Sequence, residues 1–284
     1  MPAGGYFYDA INRSNTTVDD ETDPEEDFAD AFPVMSEEEA NFYAKQVQYY
    51  RENTDYGIVS NAAVAALGDA AFLPGASLPE PKGIRSVEEW MIAHKLRTEY
   101  VYRVNEMHAE SALKSLRVLH EAVGDDIDAI FLSGTDFGTQ NSAFIAHEDF
   151  CALYKPFYKK INAWIHANTK WKIMYHSCGS IVDFLDDFTE IGVDILNPVQ
   201  CSAKGMEPVF LKEKYGDKFV FWGGGVDTQK TLPFGTPEEC RKQSRERIDI
   251  FSKNGGYVFN TIHNIQANTP VENILAIFRE AAKR

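Results

Sequence analysis

The stretch Trp171–Gln200, WKIMYHSCGSIVDFLDDFTEIGVDILNPVQ, decides the fold class of this chain. Lys172–Tyr175 is a short apolar run of strand-forming residues, and Ile181–Ile191 repeats apolar residues at helical spacing. Asp194–Val199 is a second apolar run, which is closed by a proline. The order strand, turn, helix, strand predicts a βαβ unit with two parallel strands.

The turn between the first strand and the helix holds His176, Ser177, Cys178 and Gly179. Because side chains alternate along a strand, His176 and Cys178 point the same way. In a parallel α/β sheet this turn lies at the carboxyl ends of the strands, where such folds hold their chemistry. An imidazole and a thiol that converge there supply half of a zinc site, although a lone pair of this kind is more often structural.

The same alternation of strand, loop and helix repeats along the chain at about 30 residues per unit, which predicts a parallel sheet. Six strands are predicted, near residues 57, 129, 173, 195, 220 and 257. A closed (β/α)₈ barrel has eight strands. Either two strands lie undetected in residues 1–50, or the chain starts inside the barrel. The acidic, irregular N-terminal residues contain no convincing strand, which favours the second alternative.

Helices are predicted around and between these strands, over residues 36–52, 86–94, 99–123, 148–166, 181–191, 209–215, 237–254 and from 270 onward. Ser36 is the expected N-cap of the first helix, and Glu39 closes a capping box with it. Pro156 predicts a kink in the fourth helix. Thr269 is the expected N-cap of the closing helix, with Pro270 at its first position.

Composition indicates a water-soluble protein. The 284 residues can bury a large core, as one barrel or as two small domains. The net charge is −15, from 28 basic and 43 acidic residues, which argues against binding to nucleic acid or to anionic membranes. Residues 1–45 are an acidic irregular segment, and Asp19–Glu39 carries eleven carboxylates without Lys or Arg. Such a run is typical of a solvated surface.

The sequence contains no sign of secretion or of a membrane anchor. The opening residues MPAGGYFYDA are not a signal peptide, and no apolar run approaches the roughly 18 residues of a membrane span. Four cysteines without a secretory signal predict reduced thiols. We therefore expect a cytoplasmic protein.

Four longer segments resemble the uroporphyrinogen decarboxylase superfamily. They are HSCGSI (176–181), GVDILNPVQ (192–200), KGMEPVFLKEKYGDKFVFWGGGVDTQKTLPFGTPEE (204–239) and GGYVFNTIHNIQANTPVENILA (255–276). The most similar branch is the corrinoid-dependent methyltransferases of anaerobes, the relatives of methylcobalamin:coenzyme M methyltransferase and of bacterial O-demethylases. The resemblance covers roughly residues 4 to 284. It implies a single (β/α)₈ TIM barrel domain over residues 1–284 that lacks the usual N-terminal strands.

The resemblance also implies a zinc site. In the zinc-dependent branch a His-x-Cys pair matches His176 and Cys178, and the third ligand is a Cys that lies seven residues before the proline of the closing helix. Counting back from Pro270 gives His263, so a His stands at that position here. The decarboxylases also have a His there and use no metal. A His/Cys/His set nevertheless suits zinc, with a fourth position open to substrate or water.

Further polar residues end the predicted strands. Asp136 and Asp227 are candidate catalytic groups that would hydrogen-bond the substrate or a zinc-ligating imidazole, while Asp227 has the alternative role of capping the following turn. Neutral amides follow the same strand ends and suit a neutral polar substrate or the edge of a corrinoid. These candidate binding residues are Asn197, Gln200, Gln229, Asn264 and Gln266.

Basic residues separate two enzymatic alternatives. Uroporphyrinogen carries many carboxylates, so its decarboxylase needs a basic cluster, which in those enzymes comes from an N-terminal segment that this chain lacks. The strand-end loops here (134–140, 176–180, 197–204, 223–229 and 260–266) hold Lys204 as their single base. A substrate with four carboxylates would be poorly neutralised, and this ranks a cofactor-free decarboxylase second.

The favoured function is methyl transfer between a small substrate and the cobalt of a corrinoid carried by a partner protein, with zinc as Lewis acid. The zinc would activate a thiol acceptor or polarise the oxygen of a methyl ether. The HNIQ loop favours the methyl-donor direction, such as demethylation of aryl methyl ethers. A non-catalytic barrel subunit that pairs with a complete homologue is the third alternative, and a homo-oligomer is left open.

Overall fold

The computed structural model describes residues 13–14, 16–17 and 22–283. Predictions that fall on residues 1–12, 15, 18–21 and 284, including much of the acidic segment 1–45, lie outside the described residues. The chain divides into two compact units. The first comprises the described residues up to Thr135 together with residues 145–173. The second comprises Asp136–Phe144 and the chain from Met174 onward.

The first unit is mostly helical. It contains α1 (Pro24–Asp27), α2 (Glu37–Asn53), β1 (Val59–Ser60), α3 (Val87–Leu96), α4 (Thr98–Val123), β2 (Ala129–Ser133), α5 (His147–Leu153), α6 (Lys155–Asn168) and the first residues of β3 (Lys172–His176). Strands β1 and β2 pair in parallel, with Val59 opposite Ala129. Helix α4 contacts α1, α2, α3, α5 and α6 along its length and is the centre of this unit.

Helix α2 begins where the sequence predicts. The Ser36 side chain accepts a hydrogen bond from the Glu39 backbone, and the Glu39 carboxylate accepts one from the Ser36 backbone, so the predicted capping box is present. These two bonds satisfy backbone donors that a helix start otherwise leaves without partners.

Neither α2, nor the longer α4, nor any other helix in the described part of the chain is long and apolar enough to cross a membrane.

The predicted helix over 148–166 is two helices rather than one kinked helix. Helix α5 ends at Leu153 and α6 begins at Lys155, because Tyr154 has non-helical backbone angles. Pro156 has no N–H to continue the hydrogen-bond ladder, and its ring would clash with a carbonyl one turn earlier. It is well placed in the first turn of α6, where that N–H is not needed.

The second unit repeats strand and helix in strict alternation. After the end of β3 come a 3₁₀ turn (Val182–Phe184), α7 (Leu185–Glu190), β4 (Ile195–Asn197), α8 (Pro208–Tyr215), β5 (Val220–Trp222), α9 (Thr231–Phe234), α10 (Pro237–Phe251), β6 (Tyr257–Val258) and α11 (Val271–Ala281). The strands pair in parallel and in chain order. His176 lies opposite Asn197, Leu196 opposite Phe221, and Trp222 opposite Val258.

All six predicted strands are therefore present, and every strand pair within each unit is parallel, which confirms the α/β class. The strands at the two ends of the series were predicted over residues 56–64 and 256–262 and are shorter, since β1 and β6 have two residues each. In the second unit the carboxyl ends of β3, β4, β5 and β6 lie along one edge because neighbouring strands run in the same direction. This edge carries the loops described below.

The closing helix α11 begins one residue later than predicted. Pro270, rather than Thr269, is the N-cap, with extended backbone angles, and Val271 is the first helical residue. Helix α11 packs on α9 and α10. Val226, Leu232, Cys240 and Ile277 form a buried cluster here. Because Cys240 lies on α10 and Ile277 on α11, this packing holds the helices before and after β6 and its loop.

Candidate metal centre

The three predicted ligands meet at the carboxyl edge of the second unit. His176 is the last residue of β3, Cys178 lies in the turn that follows, and His263 lies in the loop after β6. One potential ligand atom from each side chain lies within 4.8 Å of those of the other two. All three side chains are partly buried. The parallel strands account for this convergence, because residues far apart in sequence leave the sheet at the same edge.

The spacing of these atoms suits a small tetrahedral ion. Cys178 Sγ lies 3.3 Å from His176 Nε2, and the two imidazole rings are 6.0 Å apart between centroids at 77°. The bond lengths of zinc sites place neighbouring sulfur and nitrogen ligands about 3.5 Å apart. The His176–Cys178 pair is already close to that separation. The donor set of two imidazoles and one thiol is also one that zinc prefers, so the residues fit the implied metal.

Asn197 orients the first of these imidazoles. Its Nδ2 donates to the Trp222 carbonyl at 3.0 Å, which directs Oδ1 toward His176 Nδ1 at 2.7 Å. Since an amide oxygen only accepts, this pairing assigns the proton of the neutral His176 ring to Nδ1. The lone pair on Nε2 then faces Cys178. A second residue that holds a metal-binding imidazole in the correct tautomer is a usual feature of metal sites.

His263 is held by its own loop. Its Nδ1 accepts the Asn264 backbone N–H at 2.8 Å, and its carbonyl accepts the Thr261 hydroxyl at 2.6 Å. Burial lowers the pKa of His263, the neighbouring His176 adds to this effect, and Asp136 opposes it. The pairing with Asn264 uses the lone pair on Nδ1. A metal on Nδ1 of His263 would displace the Asn264 N–H. A metal on Nε2 would leave the ring proton on Nδ1, which could then no longer accept that N–H. His176 needs no such change, because its Nε2 already carries the lone pair.

Asp136 lies beside the His176–Cys178 pair. Its Oδ1 accepts the Cys178 backbone N–H at 2.6 Å and is 3.8 Å from His176 Nε2. Its side chain is 41% exposed, so the carboxylate also faces solvent. The structure thus brings this predicted residue to the three candidate ligands. The hydrogen bond that Asp136 accepts from the Cys178 backbone fixes the turn that holds Cys178.

Two glycines allow the loops after β2 and β3 to touch. Gly179 has a φ of +87°, and a Cβ placed on it would lie 2.3 Å from the Gly138 carbonyl carbon and oxygen. A Cβ on Gly138 would lie 2.6 Å from the Ser180 backbone nitrogen. No side chain larger than hydrogen fits at either position. The two backbones are further joined by the Phe137 N–H, which donates to the Ser177 hydroxyl at 2.9 Å.

Gln200 connects the same turn to the loop after β4. Its Oε1 accepts the Gly179 backbone N–H at 2.7 Å, and its Nε2 donates to Gln140 Oε1 at 3.0 Å. Gln140 in turn donates to the Ser202 carbonyl. Gln200 was predicted as a binding residue, but its amide is engaged in positioning loops. Gln140 and Ser177 were not among the predicted site residues. The signal that could have identified them is their position. Gln140 lies in the Gly-flanked loop after β2, and Ser177 lies in the His-x-Cys turn.

The remaining predicted residues occupy the outer parts of the same loops. Asp227 Oδ1 accepts the backbone N–H groups of Gln229 and Lys230 at 2.7 and 3.2 Å, so Asp227 caps this turn. Gln229 and Asn264 are exposed. Gln266 Nε2 donates to the Asn264 carbonyl at 3.1 Å. The contacts observed for Asp227 are therefore with its own loop and with Gln243, whose Oε1 accepts the Asp227 N–H.

Cys201 differs from Cys178 although both follow strands of this unit. Burial raises the pKa of the Cys201 thiol to about 11, and its Sγ lies 3.4 Å from the Val199 carbonyl. A thiol with so high a pKa stays protonated at neutral pH, and Cys201 is not part of the group of ligand atoms that His176, Cys178 and His263 form. None of the four cysteines forms a disulfide.

A family model described as uroporphyrinogen decarboxylase (URO-D) matches residues 76–284. The chain belongs to the uroporphyrinogen decarboxylase family. The match begins later than the predicted resemblance, which started near residue 4. No curated protein matches the chain.

Among solved structures, a methyltransferase from Methanosarcina mazei is similar to this chain, with a TM-score of 0.59 and 16% sequence identity. The alignment covers 84% of this chain but 63% of the methyltransferase, so the chain spans less than two thirds of that structure's length. At this identity the similarity shows the fold. Together with the parallel strand pairs within each unit, it is consistent with the predicted partial (β/α)₈ barrel.

Proposed function

We propose that this protein is a zinc-dependent methyltransferase that moves a methyl group between a small substrate and the cobalt of a corrinoid protein. His176, Cys178 and His263 would hold the zinc. The single observation that carries the proposal is the approach of their ligand atoms to within 4.8 Å of one another at the carboxyl edge of parallel strands. The solved structure of a methyltransferase with this fold supports the same class of reaction.

The favoured direction removes a methyl group from an aryl methyl ether. The corrinoid on the partner protein would supply the nucleophile that accepts the methyl group, and the other product would be the phenol. When bound, zinc supplies Lewis-acid polarisation of the ether oxygen, which makes the phenolate a better leaving group. The corrinoid protein is the expected partner, and the methyl ether is the expected small-molecule substrate.

The protein's own residues prepare this site. Asn197 holds His176 with its Nε2 lone pair toward Cys178, so the first two ligands need little rearrangement. Asp136 fixes the Cys178 backbone, and its partly exposed carboxylate can accept a hydrogen bond from a substrate hydroxyl. The exposed amides of Gln229 and Asn264 suit an uncharged polar substrate or the rim of a corrinoid. Preorganised donors and acceptors of this kind lower the cost of binding and orientation.

Decarboxylation of a porphyrinogen is the second candidate, because the family carries that name. The charge at this edge opposes it. Lys204 is the basic residue of the strand-end loops, its side chain is exposed, and its carbonyl is used by the Ser180 hydroxyl at 2.7 Å. A polycarboxylate would find little compensation for its charge here, and arginine or lysine clusters are what such substrates require.

The test is the metal content of the purified protein, measured by elemental analysis after incubation with zinc and removal of the excess. Wild type should hold about one zinc per chain. Cys178→Ala should lose it, since a three-residue site cannot spare its thiolate. Cys201→Ala is the matched control, because this buried thiol lies outside the group of ligand atoms and should not bind the metal.

Cobalt substitution adds a second readout that does not depend on activity. A Co(II)-loaded wild-type protein should show thiolate-to-cobalt charge transfer in the near ultraviolet, and Cys178→Ser should abolish that absorption while Cys201→Ser preserves it. Wild-type protein without metal after this treatment would contradict the zinc mechanism and would leave the metal-free decarboxylase or the non-catalytic subunit. Metal retained in Cys178→Ala would instead contradict the assignment of the ligands.

A further inference from the structure

The first unit contains a cavity of about 420 Å³ that plays no part in the candidate metal centre. It lies between the segment joining α1 to α2, the loop after β1, and helix α4. Pockets for small molecules commonly measure about 300–1,000 Å³. The volume is therefore sufficient for a molecule built on one or two aromatic rings.

Aromatic and aliphatic side chains form most of the cavity wall. The aromatic members are Phe28, Phe32, Tyr43, Phe72 and Trp90, and helix α4 adds small residues such as Ala112. Trp90 is fully buried, whereas Phe72 is 69% exposed and Val34 is 43% exposed. An apolar interior that continues into exposed apolar side chains is unusual for a surface that faces only water. It is the expected appearance of a pocket that admits an apolar molecule.

The polar groups of the wall offer little to an anion. The Arg85 side chain is buried, and three of its five N–H donors are bonded to the carbonyls of Lys82, Asp27 and Leu73 at 2.6, 3.1 and 3.4 Å. The other charged residues of the wall are Glu39 and the buried Asp69. A carboxylate ligand would meet these negative groups, while the guanidinium of Arg85 is already held by three carbonyls, so its desolvation would be costly.

Two of the five aromatic rings in the wall, Phe28 and Phe32, have no face left for a cation. The Arg85 guanidinium already lies 3.9 Å from the centroid of Phe28. The His108 ring stacks on Phe32 at 4.2 Å between centroids, and Phe28 and Phe32 stack on each other at 5.5 Å. These ring faces are therefore occupied. A second cation would also be repelled by Arg85.

We infer that this cavity is a binding site for an uncharged aromatic molecule whose polar group, such as a phenolic hydroxyl, donates a hydrogen bond. Asp69 and the Ser111 and Ser115 hydroxyls are the polar wall groups near which such a donor would lie. Both serines are positioned by bonds to the α1–α2 segment, since Ser111 donates to the Phe32 carbonyl and Ser115 accepts the Met35 N–H. The inference does not rest on the proposed methyl transfer.

Three fluorinated probes of one size test the charge preference. Binding of 4-fluorophenol, 4-fluorobenzoate and 4-fluorobenzylammonium to the full chain is measured by ¹⁹F NMR titration at neutral pH. The neutral phenol should bind at least about tenfold more tightly than either ion, which corresponds to about 1.4 kcal/mol. Tighter binding of an ion, or no binding of the phenol at a concentration of about 10 mM, would overturn the inference.

Cavity-filling variants test the location. Ala112→Phe fills the space from α4 and should weaken 4-fluorophenol binding at least about tenfold. Val34→Trp does so from the exposed mouth, where the larger side chain does not disturb the core, and it keeps the test valid if Ala112→Phe fails to fold. Val209→Trp is the matched control, because Val209 is 52% exposed on α8 of the second unit.

Cys178→Ala separates this site from the metal centre. The variant should bind 4-fluorophenol as wild type does, even though it loses zinc. Wild-type affinity in both filling variants, or weakened binding confined to Cys178→Ala, would place the phenol elsewhere and refute the cavity assignment. A protein that binds no zinc but binds the phenol in this cavity would refute the proposed function and leave the present inference standing.

Discussion

Gly179→Ala should be one of the most damaging single substitutions in the second unit, and its cost has two separable parts. Gly179 has a φ of +87°, where a side chain costs roughly 1–2 kcal/mol. The added Cβ would also lie 2.3 Å from the Gly138 carbonyl group and 2.6 Å from the Thr139 oxygen. Overpacking of this kind adds about 1–3 kcal/mol. The expected total is about 2–5 kcal/mol.

Gly255→Ala is the matched control for the first part alone. Gly255 has a φ of +79°, and a Cβ built on it meets no heavy atom within 4 Å. Its substitution should therefore cost only the roughly 1–2 kcal/mol of the left-handed conformation. The difference between the two variants, about 1–3 kcal/mol, isolates the contact between the loops after β2 and β3.

Urea unfolding followed by circular dichroism measures both variants against wild type. Zinc binding is the second readout, because Gly179 adjoins Cys178 and any displacement of the turn moves a candidate ligand. We expect Gly179→Ala to lose zinc affinity as well as stability, while Gly255→Ala keeps wild-type affinity. Equal losses of stability in the two variants would refute the argument, since they would show that the two loops do not approach closely.

Two further predictions concern an amide and a buried imidazole. Asn197→Leu removes the acceptor that orients His176 and should weaken zinc binding about 10–100-fold in a chelator competition. Gln229→Leu, at an exposed amide, is the control and should leave zinc affinity unchanged. Equal zinc affinities of the two variants would contradict the role of Asn197. Burial lowers the pKa of His108 to about 4, although its hydrogen bond to the Val64 carbonyl opposes this. The unfolded chain therefore takes up that proton first, and stability falls between about pH 6.5 and 4. Over that pH range, the free energy of unfolding of wild type, measured with urea, should fall by about 1–3 kcal/mol more than that of His108→Phe. Parallel pH profiles of the two proteins would contradict the lowered pKa of His108.

Local sequence patterns were sufficient for most elements of secondary structure. The capping box of Ser36 and Glu39 is visible in four consecutive residues and is present as predicted. The six strands were also found at the predicted places, because apolar runs bounded by turn residues carry that information within a short window. The ends of the elements were less accurate. Strand length depends on the hydrogen bonds of a neighbouring strand, which no local pattern contains, and β1 and β6 are shorter than their apolar runs.

The helix boundaries near prolines show the same limit. Pro156 predicted a disturbance, but whether a helix bends or breaks depends on what surrounds the preceding residue. Tyr154 is buried and its hydroxyl lies 2.7 Å from His94 Nε2, so tertiary contacts favour the break. At the closing helix, the sequence predicted Thr269 as the N-cap, but the structure has Pro270 in that place and begins α11 one residue later.

The candidate site divides in a similar way. The residue types and their places after a strand pointed to His176 and Cys178, and the family resemblance added His263 by its distance from Pro270. Parallel strands bring such positions to one edge whatever lies between them. The sequence did not reveal that Asn197 and Gln200 are occupied in orienting other groups, or that Gly138 and Gly179 touch. These contacts join loops 20 to 60 residues apart in sequence.

The sequence by itself determined the parallel α/β class, the order of strands and helices, and the candidate ligands, since periodicity and the chemistry of side chains are local properties. Only the tertiary structure decided the tautomer that Asn197 imposes on His176, the close approach of Gly138 to Gly179, and the aromatic cavity beside α4. The physical reason is that packing and hydrogen bonding between distant segments depend on distances of a few tenths of an ångström. Those distances are set by the whole fold rather than by any one stretch of the chain.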